Sequence, residues 1–218
     1  MVHCGLPPVV EVYGAAMKVA FPSTPSGRTE ARSRLWERRN EPHVAALVKF
    51  AEEIATNSGL MPGAVPYPDP DGGGVNARVL FLLNDPGDGA KSGTGGSGML
   101  TILNEDQTSR KQRAAVEASG LDRSLTLHWN AVPWPVPRGA AAQHVAAGAR
   151  SLIRLVALLP DLRGIVALGA TARRVTDEVQ VISARARHLK FHHSTHPERS
   201  SNAALFEAYG WAANVASD

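Results

Sequence analysis

Asp85 stands just past the apolar run Val79-Leu80-Phe81-Leu82-Leu83, in a sharp turn spelled Asn84-Asp85-Pro86-Gly87. Two later segments share the design. Leu125-Thr126-Leu127-His128-Trp129 ends at Asn130, and the segment around Leu189-Lys190-Phe191 leads to Thr195-His196-Pro197. A carboxylate can stabilise a cationic centre and orient an attacking water, and an imidazole can stabilise a developing anion. A side-chain amide can read both a donor and an acceptor on a polar ring. If the apolar runs are parallel strands, all three groups emerge beyond strand carboxyl ends, where open α/β sheets place their binding crevices. Singly, each has an ordinary structural explanation, Asp85 and Asn130 as turn formers and His196 as a loop histidine. Their joint occurrence in this order is what points to a site.

The elements that must hold these groups follow from periodicity. Strands are expected at about 78–83, 124–129, 164–168 and 188–192. Pro42 suits the first position of a helix whose buried face is Val44, Leu47, Val48, Ala51 and Ile54, with Gly59 as its stop. Further helices are expected at 109–120, at 143–159, from about Thr171, and at 202–215, the last carrying Leu205, Phe206, Tyr209 and Trp211. Residues 62–74 read as a loop, and the six glycines of 87–98 require a mobile or tightly turning one. Strands alternating with helices imply a three-layer α/β/α fold around a central parallel sheet of about four strands. Residues 1–40, rich in Arg, Pro and Ser, read as an irregular arm with one short helix near 30–39. Residues 41–218 read as a single α/β domain.

Composition narrows the function classes. The chain has 218 residues, 44% of them hydrophobic, enough for a substantial core, and no stretch suits a membrane span. Its start, Met1-Val2-His3-Cys4-Gly5-Leu6-Pro7-Pro8, lacks the basic patch and apolar stretch of a secretory signal. Cys4 is the single cysteine, which excludes an intramolecular disulfide and suits a reducing cytoplasm. A net charge of +3 is compatible with an anionic partner. Basic residues gather at Arg28, Arg32, Arg34, Arg38 and Arg39, at Arg110, Lys111 and Arg113, and at Arg185, Arg187, Lys190 and Arg199. They read as solvated helix faces unless several clusters ring one crevice.

Two other chemistries fail on the residues. Lys91-Ser92 after a Gly-rich loop suggests a phosphate-binding loop, but Ala90 and Asp85 stand where that pattern needs glycines, and a carboxylate there repels phosphate. His192, His193 and His196 suggest zinc, yet a strand-to-loop junction does not hold the outer pair on one helical face. Neither a metal nor an organic cofactor is expected.

At these residues the chain resembles the uracil-DNA glycosylase superfamily. Leu83-Asn84-Asp85-Pro86-Gly87 occupies the place of the family's first motif, Asn130-Ala131-Val132-Pro133 that of its base-recognition segment, and His196-Pro197-Glu198-Arg199-Ser200 that of its last motif. The likeness runs from about Arg78 to the end, with Asp69-Pro70 and 72–74 also similar in the lead-in. Departures accompany it. Leu83 replaces the usual first glycine, and Gly87 stands where uracil-strict members carry a bulky Tyr. Met99 stands where an aromatic ring stacks on the base, Glu198-Arg199 replace a Ser-Pro pair, and Ser200 replaces a leucine wedge. A lone cysteine leaves out the iron–sulfur branches.

The resemblance implies a monofunctional, cofactor-free hydrolase that flips uracil out of DNA, cuts its glycosidic bond and leaves an abasic site. Asp85 would be the catalytic carboxylate, His196 the stabiliser of the departing base and Asn130 the base reader, with Asn84, Gly87 and Met99 lining the pocket. Pro86, Pro197, Arg199 and Ser200 would meet the DNA. A monomer in the cytoplasm, on the nucleoid of a prokaryote, is the expected setting. Amide chemistry agrees: the carbonyl of Asn accepts the N3–H of uracil while its NH2 donates to O4, and cytosine presents the opposite pattern. Gly87 and Met99 keep open a wider base range, including mismatched thymine, 5-substituted uracils or a deaminated purine. A relative that binds uracil or abasic sites without turnover is the non-enzymatic alternative, against which Asp85 argues.

Overall fold

The computed structural model describes residues 21–93 and 95–218. Four strands make the central sheet: β2 (Val79–Leu83), β4 (Thr126–Asn130), β5 (Gly164–Leu168) and β6 (Lys190–Ser194). Their order is β4-β2-β5-β6, and every neighbour is parallel. A two-residue strand, β1 (Tyr67–Pro68), pairs in parallel with β3 (Met99–Leu100) as a separate small sheet. Six helices surround these strands among the described residues: α1 (Pro25–Glu37), α2 (Pro42–Asn57), α3 (Gln107–Ser119), α4 (Val145–Ala157), α5 (Ala170–Ile182) and α6 (Asn202–Ser217).

All five residues of β2 are buried, as expected for a strand covered on both faces. Period-two alternation deals its side chains to two cores. Val79 and Phe81, with Val166 and Leu168 of β5, meet Val116 of α3 and Leu205, Ala208, Tyr209 and Ala212 of α6. Leu80 and Leu82, with Leu127 and Trp129 of β4, meet α2, α4 and α5 through residues such as Phe50, Leu152 and Val175. The result is the three-layer α/β/α arrangement. Among the described residues no helix is long and apolar enough to cross a membrane.

Because β2 lies between β4 and β5, the chain reverses its direction of travel across the sheet there. The C-terminal edge beside β2 is thus the topological switch point, where open sheets leave a crevice. Two backbone bonds prolong the β2–β4 pairing past the strand ends, Ala131 N–H to the Leu83 carbonyl at 2.7 Å and Val132 N–H to that of Asn84 at 2.9 Å. They fasten the Asp85 turn beside Asn130.

The N-terminal expectation needs correction. Residues 1–20 lie outside the described residues, but the remainder of the arm is mostly helix. Thr24 caps α1 by accepting from the Gly27 amide, and Pro25 takes the tolerated first position. The helix is docked: Leu35 packs on Met99 and Leu103, Arg28 pairs with Glu105 at 2.6 Å, and Arg32 donates to the Leu103 carbonyl. The sequence lacked a helical apolar stripe here because polar and ionic contacts fix most of this helix, with one buried leucine.

Candidate functional site

A cavity of about 240 Å³ opens at the C-terminal edge of the sheet, on the α3 side of β2 and β4. Strand ends supply Leu83, Asp85, His128, Asn130 and His196 to its wall. The opposite wall is the segment from β3 into α3, with Leu100, Ile102, Asn104, Asp106 and Gln112. A broader cleft of about 650 Å³ adjoins it, lined by Lys91, Arg138, Arg199 and the first residues of α5. The two spaces share Asp85, Gly87, Asp88, His196 and Glu198, which therefore mark the boundary between an inner chamber and an outer groove.

Asp85 is half-buried, and that burial raises its pKa above the ordinary carboxylate value, while the charge of Lys91, and that of His196 in its protonated form, pull it back. Lys91 forms an ion pair with Asp88 at 2.9 Å. Burial lowers the pKa of His196, opposed by Glu198 and Asp85, so the ring is neutral at neutral pH. The Glu198 amide donates to His196 Nδ1 over 3.4 Å, which leaves the proton on Nε2. The turn that presents His196 is closed by the Arg199 and Ser200 amides on its carbonyl, both at 2.9 Å. Lys111 of α3 ties down the same turn through the Ser200 carbonyl at 2.8 Å.

Asn130 ends β4 opposite Leu83 and is 3% exposed. Its Oδ1 is buried without a hydrogen-bond partner. Such an atom is costly, on the order of 1–3 kcal/mol, and in a cavity wall it is an acceptor awaiting a donor.

Four of the expected residues thus converge: Asp85, Gly87, Asn130 and His196. Gly87 is exposed, a Cβ there would meet nothing within 4 Å, and its φ is not positive. The backbone does not require glycine at this position.

The other expected residues are placed differently. Asn84 does not face the inner cavity; its Oδ1 accepts from the Thr171 and Ala172 amides at 3.1 and 3.0 Å, capping α5 from outside that helix. Gly169 permits this, because a Cβ there would lie 2.6 Å from that oxygen. Met99 is 1% exposed and packed on Leu35 and Leu103, so it does not cover the cavity; the residues after it do. Pro86 is buried yet borders the outer groove, and Arg199 is exposed on it. Pro197 and Ser200 are buried and border neither space, so neither offers a surface to a large partner.

The basic clusters also resolve. Arg28 and Arg32 serve α1, Arg38 pairs with Glu41 and Asp71, and Arg113 clamps the carbonyls of Ile102 and Asn104. Arg185 holds the Leu159 carbonyl, and Lys190 pairs with Asp218. The clusters do not ring the crevice as groups; Lys91, Arg138 and Arg199 border the groove individually. His192 lies against Trp211, and His193 Nε2 shares a hydrogen bond with Thr176. Among the described residues no group of three His, Cys, Asp or Glu side chains is arranged to hold a metal ion.

Sequence reasoning missed the wall built by α3 and by His128. Both had signals. Asn104-Glu105-Asp106-Gln107-Thr108-Ser109 directly behind Ile102-Leu103 is the polar start of a helix, and Asp106 indeed caps α3 through the Ser109 amide at 2.9 Å. His128 lies two residues before Asn130, and strand periodicity puts both on one face.

Compared with known proteins, the chain matches no protein-family model and no curated sequence.

Proposed function

We propose that this protein is a DNA glycosylase of the uracil-excising type, which draws a flipped nucleotide into the inner cavity and hydrolyses its glycosidic bond. The observation that carries this reading is the buried, partnerless Oδ1 of Asn130 in a cavity whose mouth is formed by Asp85 and His196. An enzyme acting on a base must take it out of the stack and read its Watson–Crick edge in a pocket. Asn130 supplies the acceptor for a lactam N–H there. A base offering no N–H at that point leaves the oxygen unpaired, at about 1–3 kcal/mol.

Bond cleavage puts positive charge on the sugar and negative charge on the base. Asp85, at the boundary between chamber and groove, is placed to stabilise the first and to hold the attacking water. His196, neutral with its proton on Nε2, donates a hydrogen bond to the departing base without giving up a full charge. The outer groove offers the strand Arg138 and Arg199, cations of the kind that attract phosphate, with Lys91 paired to Asp88 on the same wall. The buried Ser200 removes the wedge that the family resemblance assigned to that position.

Gly87 favours a second reading within the same chemistry. Open space beside it leaves room for substituents on a pyrimidine ring, so thymine-like or 5-substituted uracils belong in the substrate range. The experiment is a strand-cleavage assay on single- and double-stranded oligonucleotides carrying one modified base, with chelator present and the abasic product cut by alkali. Release of uracil is the expected result. Failure to release any base from any of these substrates would overturn the reading, and dependence on a defined added metal would overturn its cofactor-free form.

A further inference from the structure

Deepening the glycosylase reading and resting on it, we propose that His128 is a second base-reading residue. It presents a neutral N–H donor to the cavity and, with Gln112, selects a base that carries a lactam N–H and a further acceptor beyond it.

His128 shares the Asn130 face of β4 and, at about 3.3 Å per residue, lies roughly 7 Å farther from the strand end, deeper in the chamber. Its ring borders the cavity. Two contacts fix it. The ring stacks on Phe81, its cross-strand partner in β2, with centroids 4.9 Å apart and planes 11° from parallel. Its Nε2 lies 3.2 Å from the Tyr209 hydroxyl, and Tyr209 in turn stacks on Phe81 at 4.3 Å.

That hydroxyl sets the tautomer. Burial raises the Tyr209 pKa, so the phenol keeps its proton. Burial lowers that of His128 to about 3, so the imidazole is neutral. With the Gln112 amide donating to the phenol oxygen, the phenol proton is left to donate to His128 Nε2, and the ring proton then sits on Nδ1, the nitrogen that remains for a ligand. Gln112 of α3 borders the same cavity with its side-chain amide directed at the Tyr209 hydroxyl oxygen, which leaves one of its two N–H groups for a ligand. The inner part of the chamber is therefore rich in donors, and its outer part offers the Asn130 acceptor.

A ligand that satisfies both carries an N–H and, beyond it, a carbonyl oxygen or a bare ring nitrogen. Uracil does so with its second carbonyl, and hypoxanthine with the ring nitrogen of its five-membered ring. Cytosine and adenine lack the N–H. A purely structural role for His128, as one of three stacked rings in the core, makes a different forecast: removal of its nitrogens would matter to folding and not to which base binds.

The test uses the full chain. Free uracil and free hypoxanthine are titrated into the parent and into His128→Phe, which keeps a ring on Phe81, alongside binding to a duplex containing a tetrahydrofuran abasic site and thermal melting. The variant should bind the preferred base about 10- to 100-fold more weakly, as expected for one lost donor in a buried site, with abasic-duplex affinity unchanged. Tighter uracil binding would mark a pyrimidine site and tighter hypoxanthine binding a deaminated-purine site. Nitrogen-15 spectra of the parent should show His128 as the neutral Nδ1–H tautomer. Equal base affinity in parent and variant, no binding of either base to the parent, or an Nε2–H tautomer overturns the proposal. Should His128→Phe fail to fold, Tyr209→Phe removes only the hydroxyl and should weaken base binding by releasing the tautomer; unchanged binding would count against His128. Base excision from DNA is scored separately. Excision without a difference in His128→Phe defeats this proposal alone, and base binding without excision defeats the glycosylase reading alone.

Discussion

The neutrality of His128 has a thermodynamic consequence that acid exposes. Burial, reinforced by the charge of Arg123, pushes its pKa from 6.5 down to about 3. Because the folded-state value is the depressed one, the unfolded chain takes up a proton below about pH 6.5 that the folded chain refuses. Stability from this residue is therefore complete above about pH 6.5 and is lost as the pH falls toward about 3. At about pH 5 the unfolded ring is about 1.5 units below its pKa, which at 1.36 kcal/mol per unit costs about 2 kcal/mol. For a domain of this size that is a fall of about 4–8 °C in Tm. One edge of the ring faces the cavity, but a folded pKa higher by about one unit leaves the figure at about pH 5 almost unchanged, since the folded ring stays neutral there. Melting curves of the parent and His128→Phe between about pH 7.5 and pH 5 measure it. Burial also depresses His193 and His196, and these act equally on both proteins, so the difference between the curves isolates His128. That difference should shift toward the variant by about 2 kcal/mol across the range. A flat difference would show that the ring titrates as it does in water, and the argument for its fixed tautomer would fall with it.

Asp85→Asn should lower turnover by at least about 100-fold with little change in DNA binding, because the charge acts on the transition state. The raised folded-state pKa of Asp85 means that its contribution to stability is lost as the pH rises through that value, so the Asn variant should also melt higher at neutral pH; a variant with near-parental single-turnover rates removes Asp85 from catalysis. Asn130→Asp should weaken discrimination between uracil and cytosine substrates, since an ionised Asp has no donor to offer, and unchanged selectivity would assign the reading to another residue. Gly87→Tyr should fold with an unaltered Tm, having open space and an ordinary φ, and should exclude 5-substituted uracils while retaining uracil; a folded variant with parental selectivity defeats the idea that this position guards the ring edge. Asp69→Ala should cost about 1–3 kcal/mol in urea unfolding, because it removes the 2.7 Å partner of the buried Arg123 guanidinium and leaves it Asp71 at 3.6 Å, and an unchanged stability would show the pair to be dispensable.

The strands were legible because the sheet is buried on both faces. Val79–Leu83 and Gly164–Leu168 are unbroken apolar runs, and their expected and observed bounds nearly coincide. The last strand was less so: Lys190-Phe191-His192-His193-Ser194 lies at a sheet edge, is only partly buried, and ends two residues later than its apolar residues suggest. β1 and β3 carry no periodic signal, being two residues each. In the site, the residues legible in sequence were those that a turn or strand end must project, Asp85, Asn130 and His196. The ones read wrongly depended on packing partners distant in the chain. Asn84 borders the outer groove rather than the inner cavity, because α5 claims its oxygen. Met99 looks exposed to a ligand until α1, from a segment without apolar rhythm, covers it.

Buried polar groups are not equally well answered in this fold. Behind the cavity wall, the buried Asp69 carboxylate is fully answered, by Arg123, by the hydroxyl of the cavity-lining Thr101 at 2.6 Å and by the Asp71 amide at 2.9 Å. In the cavity the same chain leaves Asn130 Oδ1 without a partner and half-buries Asp85 against its own desolvation. Among the described residues Trp129 Nε1, Ser151 Oγ and Ser200 Oγ are also buried without partners, so an orphaned atom points to a binding site only where, as at Asn130, it lines a cavity. The cavity also offers groups of opposite sense, the Asn130 acceptor and the donors proposed at His128 and Gln112. That is the pairing a lactam with a second acceptor brings, and a ligand of this kind would recover much of the free energy the empty cavity forgoes.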